Sequence, residues 1–265
     1  MTPGTTDLDE ITLPRCPHRI TIPSQARGGE QDEEWVEVSH GGERRRLRLH
    51  DYAALFETPG LYESLVYRTL RCRSPQRVVR PLVEALAADS ETPRSLRVLD
   101  LGAGNGIVGE LLRRIGAREI VGVDILPEAA EAARRDRPMV YDDYLVTDLS
   151  SPEPAVERRL REFAPNCLVT VAALGFGDVP PEAFARAFNL LPGGGWLAMC
   201  IKDRFLEEQD DSGFGRLVRR MIVDGSIDVK HRRRYVHRLS IAGEKLFYVA
   251  LVARKLRARV IPTTS

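Results

Sequence analysis

The sequence has no apolar run near the ~18–20 residues that a membrane helix requires; its longest, Leu246–Ala253, is less than half that. The first residues carry Asp7, Asp9 and Glu10 where a secretory signal would need an apolar core, so no such signal is expected. Cysteine is scarce, and Cys16, Cys72, Cys167 and Cys200 form no C-x-x-C pair. That disfavours a zinc site or a disulfide framework and fits a reducing cytoplasm. Cys16-Pro-His18 is too isolated to suggest a metal site, and no metal is expected. Neither sign of charge prevails: 39 Lys+Arg stand against 38 Asp+Glu, which removes the global argument for a nucleic-acid binder. Lysine is nearly missing, with only Lys202, Lys230, Lys245 and Lys255. Arginine reads phosphate well, and Arg44–Arg46 and Arg232–Arg234 invite thoughts of RNA. The bias nevertheless runs through the whole chain, as a GC-rich coding sequence would produce. The motifs G-x-x-x-x-G-K-S/T, H-E-x-x-H and G-x-S-x-G are absent. What is present is ordinary globular composition, 43% hydrophobic and 29% charged, in a chain of 265 residues that can bury a sizeable core.

Three textures follow one another. Residues 1–50 form a proline-rich leader with a candidate short hairpin, Trp35–Val38 and Arg44–Leu49 alternating around His40-Gly-Gly42. Residues 51–95 are helical: Asp51 is placed to cap a first helix, Leu61, Leu65, Val66 and Leu70 recur at helical spacing, and Pro75 opens another helix. Residues 96–256 alternate strand and helix. Strands are expected at Arg97–Leu101, Glu119–Asp124, near Tyr144–Val146, at Leu168–Ala173 and at Gly195–Ile201. Helices are expected at Gly106–Ile115, Pro127–Arg135, Glu153–Phe163 and Pro181–Leu190. This is the pattern of β-α-β units around a parallel sheet. Arg234–Ser240 and Lys245–Arg254, joined by a short turn, can only pair antiparallel.

The sharpest segment is Val98-Leu-Asp-Leu-Gly-Ala-Gly-Asn-Gly-Ile-Val-Gly109. A buried strand delivers the chain to closely spaced glycines, where the backbone can turn tightly and approach a ligand, and a helix starts at once. Gly104, Gly106 and Gly109 satisfy the dinucleotide fingerprint G-x-G-x-x-G. The register Gly102, Gly104, Gly106 instead sets Asp100 at the strand end beside the ligand. A carboxylate there repels a pyrophosphate and suits the ammonium and sulfonium charges of S-adenosylmethionine. Asp124 ends the next strand, where it can accept from both hydroxyls of a ribose. Asp148 follows the third strand and can accept from an adenine amino group, with Ile125 and Leu149 on either side of the ring.

Asp100-Leu-Gly-Ala-Gly-Asn-Gly106, with Asp124, Asp148 and the terminal hairpin, resembles the class I S-adenosylmethionine-dependent methyltransferases from about Leu96 to Lys255. The resemblance implies an α/β, Rossmann-like fold: a seven-stranded, mostly parallel sheet with a C-terminal antiparallel hairpin and helices on both faces. It also implies S-adenosyl-L-methionine as cofactor. Carried over, Asp100, Gly102, Ala103 and Gly104 hold the methionine moiety, Asp124 the ribose, and Ile125, Asp148 and Leu149 the adenine. Tyr67–Pro75 resembles the lid of the small-molecule enzymes of this group, which makes Tyr62, Tyr67 and Arg71 candidates to line the cleft. Each is equally an ordinary amphipathic-helix residue.

The acceptor side is less legible. Beyond the fourth parallel strand, Phe176 either walls the substrate or closes a turn. The pair Pro180-Pro181 lacks the aromatic partner that base-amine methyltransferases carry there. Transfer from a sulfonium needs alignment more than acid–base help, and alignment alone contributes ~7–11 kcal/mol. Should a base be used, the candidates are Asp178, Asp203 and His237; their alternatives are a helix cap, a strand-end acid and a half-exposed strand histidine. The run Lys230-His-Arg-Arg-Arg-Tyr235 is read as a solvated approach to an edge strand, with RNA contact as the alternative. The expected function is methyl transfer to a small metabolite or natural product at an oxygen or nitrogen, with nucleic acid as a less favoured partner and no membrane. Its rivals are an RNA or protein methyltransferase and a non-catalytic cofactor-binding scaffold. The reading stands on residue 100 and on the hollow beside it.

Overall fold

The computed structural model describes residues 8, 11–25, 33–174, 179–206, 213–256 and 261. A small antiparallel sheet comes first, of β1 (Arg19–Thr21), β2 (Trp35–His40) and β3 (Glu43–Arg48), in that order. The Gly41-Gly42 turn joins β2 to β3, so the expected hairpin forms. Two short helices follow, α1 (Tyr52–Glu57) and α2 (Leu61–Glu63), the second continuing as a π-helical turn over Ser64–Thr69. Asp51 precedes α1 but makes no side-chain cap, contrary to the expectation from sequence.

The long helix α3 (Ser74–Ala88) leads to β4 (Arg97–Leu101). Then come α4 (Ile107–Arg114), β5 (Glu119–Asp124), α5 (Pro127–Asp136), β6 (Asp143–Val146), α6 (Pro154–Phe163) and β7 (Cys167–Thr170). The chain closes with α7 (Pro181–Leu190), β8 (Trp196–Lys202), α8 (Gly213–Val223), β9 (Ile227–Leu239) and β10 (Lys245–Lys255). The second sheet has seven strands in the order β6-β5-β4-β7-β8-β10-β9. The first five are parallel, and β10 runs antiparallel between β8 and β9. Two expected boundaries shift. β7 stops at Thr170, because Ala172 takes a left-handed φ of 58° that no strand continues. β9 begins at Ile227, so the basic run lies inside the edge strand and not before it.

Alternation along the strands explains the apolar sequence. In β8, Trp196, Ala198 and Cys200 face one core with α3 and α4; Leu197, Met199 and Ile201 face the other with α6, α7 and α8. The small sheet and the first two helices share a third cluster, which Ile241 joins from the β9–β10 turn. A buried ion pair secures that contact: Arg238 lies 2.7 Å from Glu34, which also accepts the Ile241 N–H. No helix among the described residues is long and apolar enough to cross a membrane.

Candidate cofactor and active site

In an open parallel sheet, ligands bind beyond the strand ends where the winding reverses. Here that point lies at β4, which has β5 on one side and β7 on the other. The chain leaves β4 through Gly102, whose φ is 72°. A Cβ there would stand 2.5 Å from the Cβ of Ala173, so no other residue fits. The N–H groups of Gly102 and Ala103 both donate to the carbonyl of Val123, at 2.9 and 3.1 Å, binding the turn to β5.

Asp124 completes the turn. Its Oδ2 accepts the Gly104 N–H at 2.9 Å and its Oδ1 the Leu126 N–H at 3.0 Å. A carboxylate has about four lone-pair sites, so Asp124 keeps capacity for ligand hydroxyls. From behind, Tyr144 donates its hydroxyl to the Gly104 carbonyl at 2.7 Å. Tyr141 donates to Oδ2 of Asp100 at 2.8 Å. A Cβ on Gly109 would come within 2.7 Å of the Tyr141 ring. Thus the third glycine of the dinucleotide spacing makes room for a tyrosine buttress.

The turn opens on a cavity of about 470 Å³, within the range of small-molecule sites. Gly102, Gly104 and Val123 form its base, Asp124 and Ile125 one wall, and Asp148 and Leu149 the next. Ala172, Ala173, Val179 and Ala183 give an apolar flank, and Tyr52, Phe56 and Tyr62 roof it. Ile125 is 57% exposed and Leu149 is buried, so one apolar side chain stands free at the rim and the other is fixed in the wall. Asp148 accepts from the N–H and hydroxyl of Ser150, and these bonds hold its carboxyl below the usual range.

The roof is tied down by charge. Arg137 bonds Glu63 of α2 at 2.8 Å and Glu110 of α4 at 3.0 Å. It also donates to the carbonyls of Asn105 and Thr12, while Asn105 donates its amide to Glu63 at 2.7 Å. One buried guanidinium thereby joins α2, the glycine turn, α4 and the end of α5. Phe56 lies against Gly104, and Arg135 donates to the Phe56 carbonyl at 3.1 Å.

The sequence candidates divide. Gly102, Gly104, Asp124, Ile125, Asp148, Leu149 and Tyr62 line the cavity, and Ala103 packs beneath it. Asp100, expected beside the ligand, is only 1% exposed and sits under the turn against Tyr141. Tyr67 meets Tyr62 edge-on at 6.0 Å, one layer behind the wall. Arg71 is exposed and points to no part of the cavity. Phe176 and Asp178 lie outside the described residues; the N-cap position of α7 is Pro180. Asp203 pairs with Arg234 at 2.8 Å, away from the cavity walls. His237 is buried, not half-exposed: Nδ1 lies 2.6 Å from the Ser74 hydroxyl and the ring packs edge-on against Tyr248. Burial holds it well below the usual histidine range, as a neutral core residue. Sequence reasoning missed Tyr141, Tyr144, Phe56 and the Glu63–Arg137 pair, none of which belongs to a local motif.

The electrostatics of the turn are unusual. Burial pushes the Asp100 carboxyl up to about 7, opposed by the Tyr141 hydrogen bond and reinforced by the nearby Asp124. Burial also raises Asp124, offset by backbone N–H groups. Neither carboxylate has an ion pair among the described residues, and Oδ1 of Asp100 has no hydrogen-bond partner there. A half-buried acid in the cavity wall and a buried one under its base, with no cation among the described residues, suit a cationic ligand.

Residues 71–243 match a family model described as a methyltransferase domain. A ribosomal protein L11 methyltransferase of Symbiobacterium thermophilum is 33% identical over 112 residues, 42% of this chain and 33% of that protein. Human methyltransferase-like protein 27 is 29% identical over 170 residues, 64% of this chain and 62% of that protein. The chain thus spans less than two thirds of the length of either relative. Among solved structures, an S-adenosylmethionine-dependent methyltransferase from Anabaena variabilis superposes with a TM-score of 0.49 at 14% identity, covering 79% of this chain and 96% of that one.

Proposed function

The chain belongs to the methyltransferase domain family, and from that premise we propose that it binds S-adenosylmethionine and methylates a small molecule. The observation that carries the cofactor is an acid pair without a cation among the described residues, Asp124 in the cavity wall and Asp100 under the turn that forms its base. Bound in that cavity, the cofactor supplies a methyl group already activated on a positively charged sulfur. Asp100 acts from under the turn as a source of negative potential, and the Gly102–Gly104 backbone carries the methionine moiety over it. Asp124 accepts from ribose hydroxyls with its remaining lone pairs. Ile125 and Leu149 offer apolar faces to the adenine, and Asp148 an acceptor at its edge.

The acceptor reading rests on the roof. Residues 51–95 act as a lid, with Tyr52, Phe56 and Tyr62 over the cavity, so that water is excluded and the nucleophile is held in line. The apolar flank of Ala173, Val179 and Ala183 is the place for a compact acceptor. A second reading, transfer to a protein or RNA, draws support from the name of the ribosomal-protein relative.

Calorimetric titration with S-adenosylhomocysteine, followed by transfer from labelled cofactor into a size-fractionated cell extract, tests both. Binding with label in the small-molecule fraction supports the proposal. Label confined to macromolecules supports the second reading, and absence of binding overturns both.

A further inference from the structure

The charge balance of the cavity wall differs from that of the chain. The sequence has 39 Lys and Arg residues, yet none is among the described residues that line the cavity, whereas Asp51, Asp124 and Asp148 are. Among those lining residues His50 alone can carry positive charge. Three rings stand over this acidic wall. Phe56 reaches down until its Cζ would lie 3.3 Å from a Cβ on Gly104, and its ring is buried against Ala129 and Ala132. Tyr52 stacks beside Phe56, with centroids 6.2 Å apart and planes 23° from parallel. Tyr62 stands on Phe56 at 4.9 Å, tilted by 54°, and faces Tyr52 at 6.4 Å and 62°. Tyr52 and Tyr62 are only half-buried, and both line the cavity. Burial pushes the Tyr62 hydroxyl up, so its ring stays a neutral phenol.

A ring face attracts a cation through its quadrupole, and rings inclined to one another can do so from two sides. S-adenosylmethionine and S-adenosylhomocysteine share the adenosine and the amino-acid part. They differ by one methyl group and one positive charge, both at sulfur. Contacts to the shared parts, such as those assigned to Gly102 and Asp124, hold the two ligands alike. Only groups that face the sulfur tell them apart. Sulfur joins the methionine part to the ribose, so the assignments to Gly104 and Asp124, themselves linked at 2.9 Å, bring it under the roof. A carboxylate placed against that sulfur would attract it but would also compete as a nucleophile for the methyl group. A neutral ring attracts without competing. Once the methyl has left, the electrons of the broken C–S bond stay on sulfur as a neutral thioether, and the attraction ends.

We propose that Tyr52 and Tyr62 read the charge on sulfur, so that the site holds S-adenosylmethionine more tightly than S-adenosylhomocysteine and lets the spent cofactor go. Phe56 is a positioning residue that sets both tyrosine rings over Gly104. The inference rests on the cofactor reading above and concerns which form of the cofactor the site prefers.

The test is calorimetric titration of the full chain with each of the two ligands, read as the ratio of their affinities. Burial of the extra methyl group alone gives a ratio of about fourfold; wild type should reach at least about tenfold. The double variant Tyr52→Leu/Tyr62→Leu keeps an apolar roof without ring faces and should return the ratio to about fourfold. Tyr52→Phe/Tyr62→Phe, which keeps the faces and removes the hydroxyls, should hold the wild-type ratio. Thermal unfolding reports whether each variant is folded, and Tyr52→Leu alone, at a half-buried position, should lower the ratio if the double variant is not. A wild-type ratio of about fourfold or less would overturn the inference. So would a ratio that the leucine variants leave unchanged, or one that the phenylalanine variant abolishes. Failure of wild type to bind either ligand would overturn the cofactor reading and this inference with it, whereas equal binding of both strikes this inference alone.

Discussion

Two pairs of carboxylates, each with one buried member, adjoin the glycine turn and are treated in opposite ways. Glu63 and Glu110 share the guanidinium of Arg137, with every contact between 2.8 and 3.0 Å. Asp100 and Asp124 have no cation among the described residues; they are held by one tyrosine hydroxyl and by backbone N–H groups. The first pair fastens α2 to the turn. The second leaves negative charge uncompensated where a cavity opens. The contrast teaches where the fold uses arginine as structure and where it keeps a charge for a ligand. It also says that the equally buried Glu63 and Asp100 should respond with opposite signs when their charge balance is altered.

The largest effect is expected on the compensated side. Arg137→Met leaves Glu63 buried without a cation and should cost about 3–5 kcal/mol of stability in urea unfolding. Adding Glu63→Gln should recover much of that loss; a double variant no better than the single one would mean that charge compensation is not what Arg137 provides. On the uncompensated side, Asp100→Asn should stabilise the ligand-free chain. Folded Asp100 titrates at about 7, whereas an unfolded Asp releases its proton near pH 4. The folded chain therefore holds that proton more tightly, so wild-type stability falls as pH rises from about 4 to about 7 and then levels off. Full ionisation corresponds to roughly 4 kcal/mol. Above pH 7 the asparagine variant should gain a sizeable part of that, and near pH 4 almost nothing; parallel stability curves for the two proteins would break the contrast.

Smaller changes sharpen it. Asp124→Ala removes acceptors for ligand hydroxyls and frees the Gly104 N–H, so S-adenosylhomocysteine binding should weaken by ~1–3 kcal/mol. Smallest is Tyr141→Phe, which deletes the hydrogen bond that favours the ionised form of Asp100 and should cost ~0.5–1.5 kcal/mol. Its signature is a shift of the pH midpoint of ligand binding to higher pH. An unmoved midpoint would detach Tyr141 from the titration.

What the sequence revealed and what it hid follow from range. The strands β4, β5 and β8 and the turn at Gly102 were legible because buried apolar runs and a glycine at a forced left-handed φ are local signals. The rim residues Ile125, Asp148 and Leu149 were legible because strand ends converge at the winding reversal. β9 was cut short in the reading because His231–Arg234 lacks apolar alternation; on an edge strand, charge replaces it. The inward position of Asp100 was hidden because it depends on Tyr141, forty-one residues away, and on the missing side chain at Gly109. His237 looked available from its strand and is sealed by Ser74 and Tyr248. Arg137 is an ordinary helix-end arginine until folding brings Glu63 to it from seventy-four residues away.

The most direct test of the uncompensated pair is one titration series: S-adenosylhomocysteine into wild type and into Asp100→Asn at about pH 8, with urea unfolding of the same samples. The account predicts that wild type binds, and that the variant binds at least about tenfold more weakly while resisting more urea. Equal affinity in the two proteins, or a variant both weaker in binding and less stable, would contradict it.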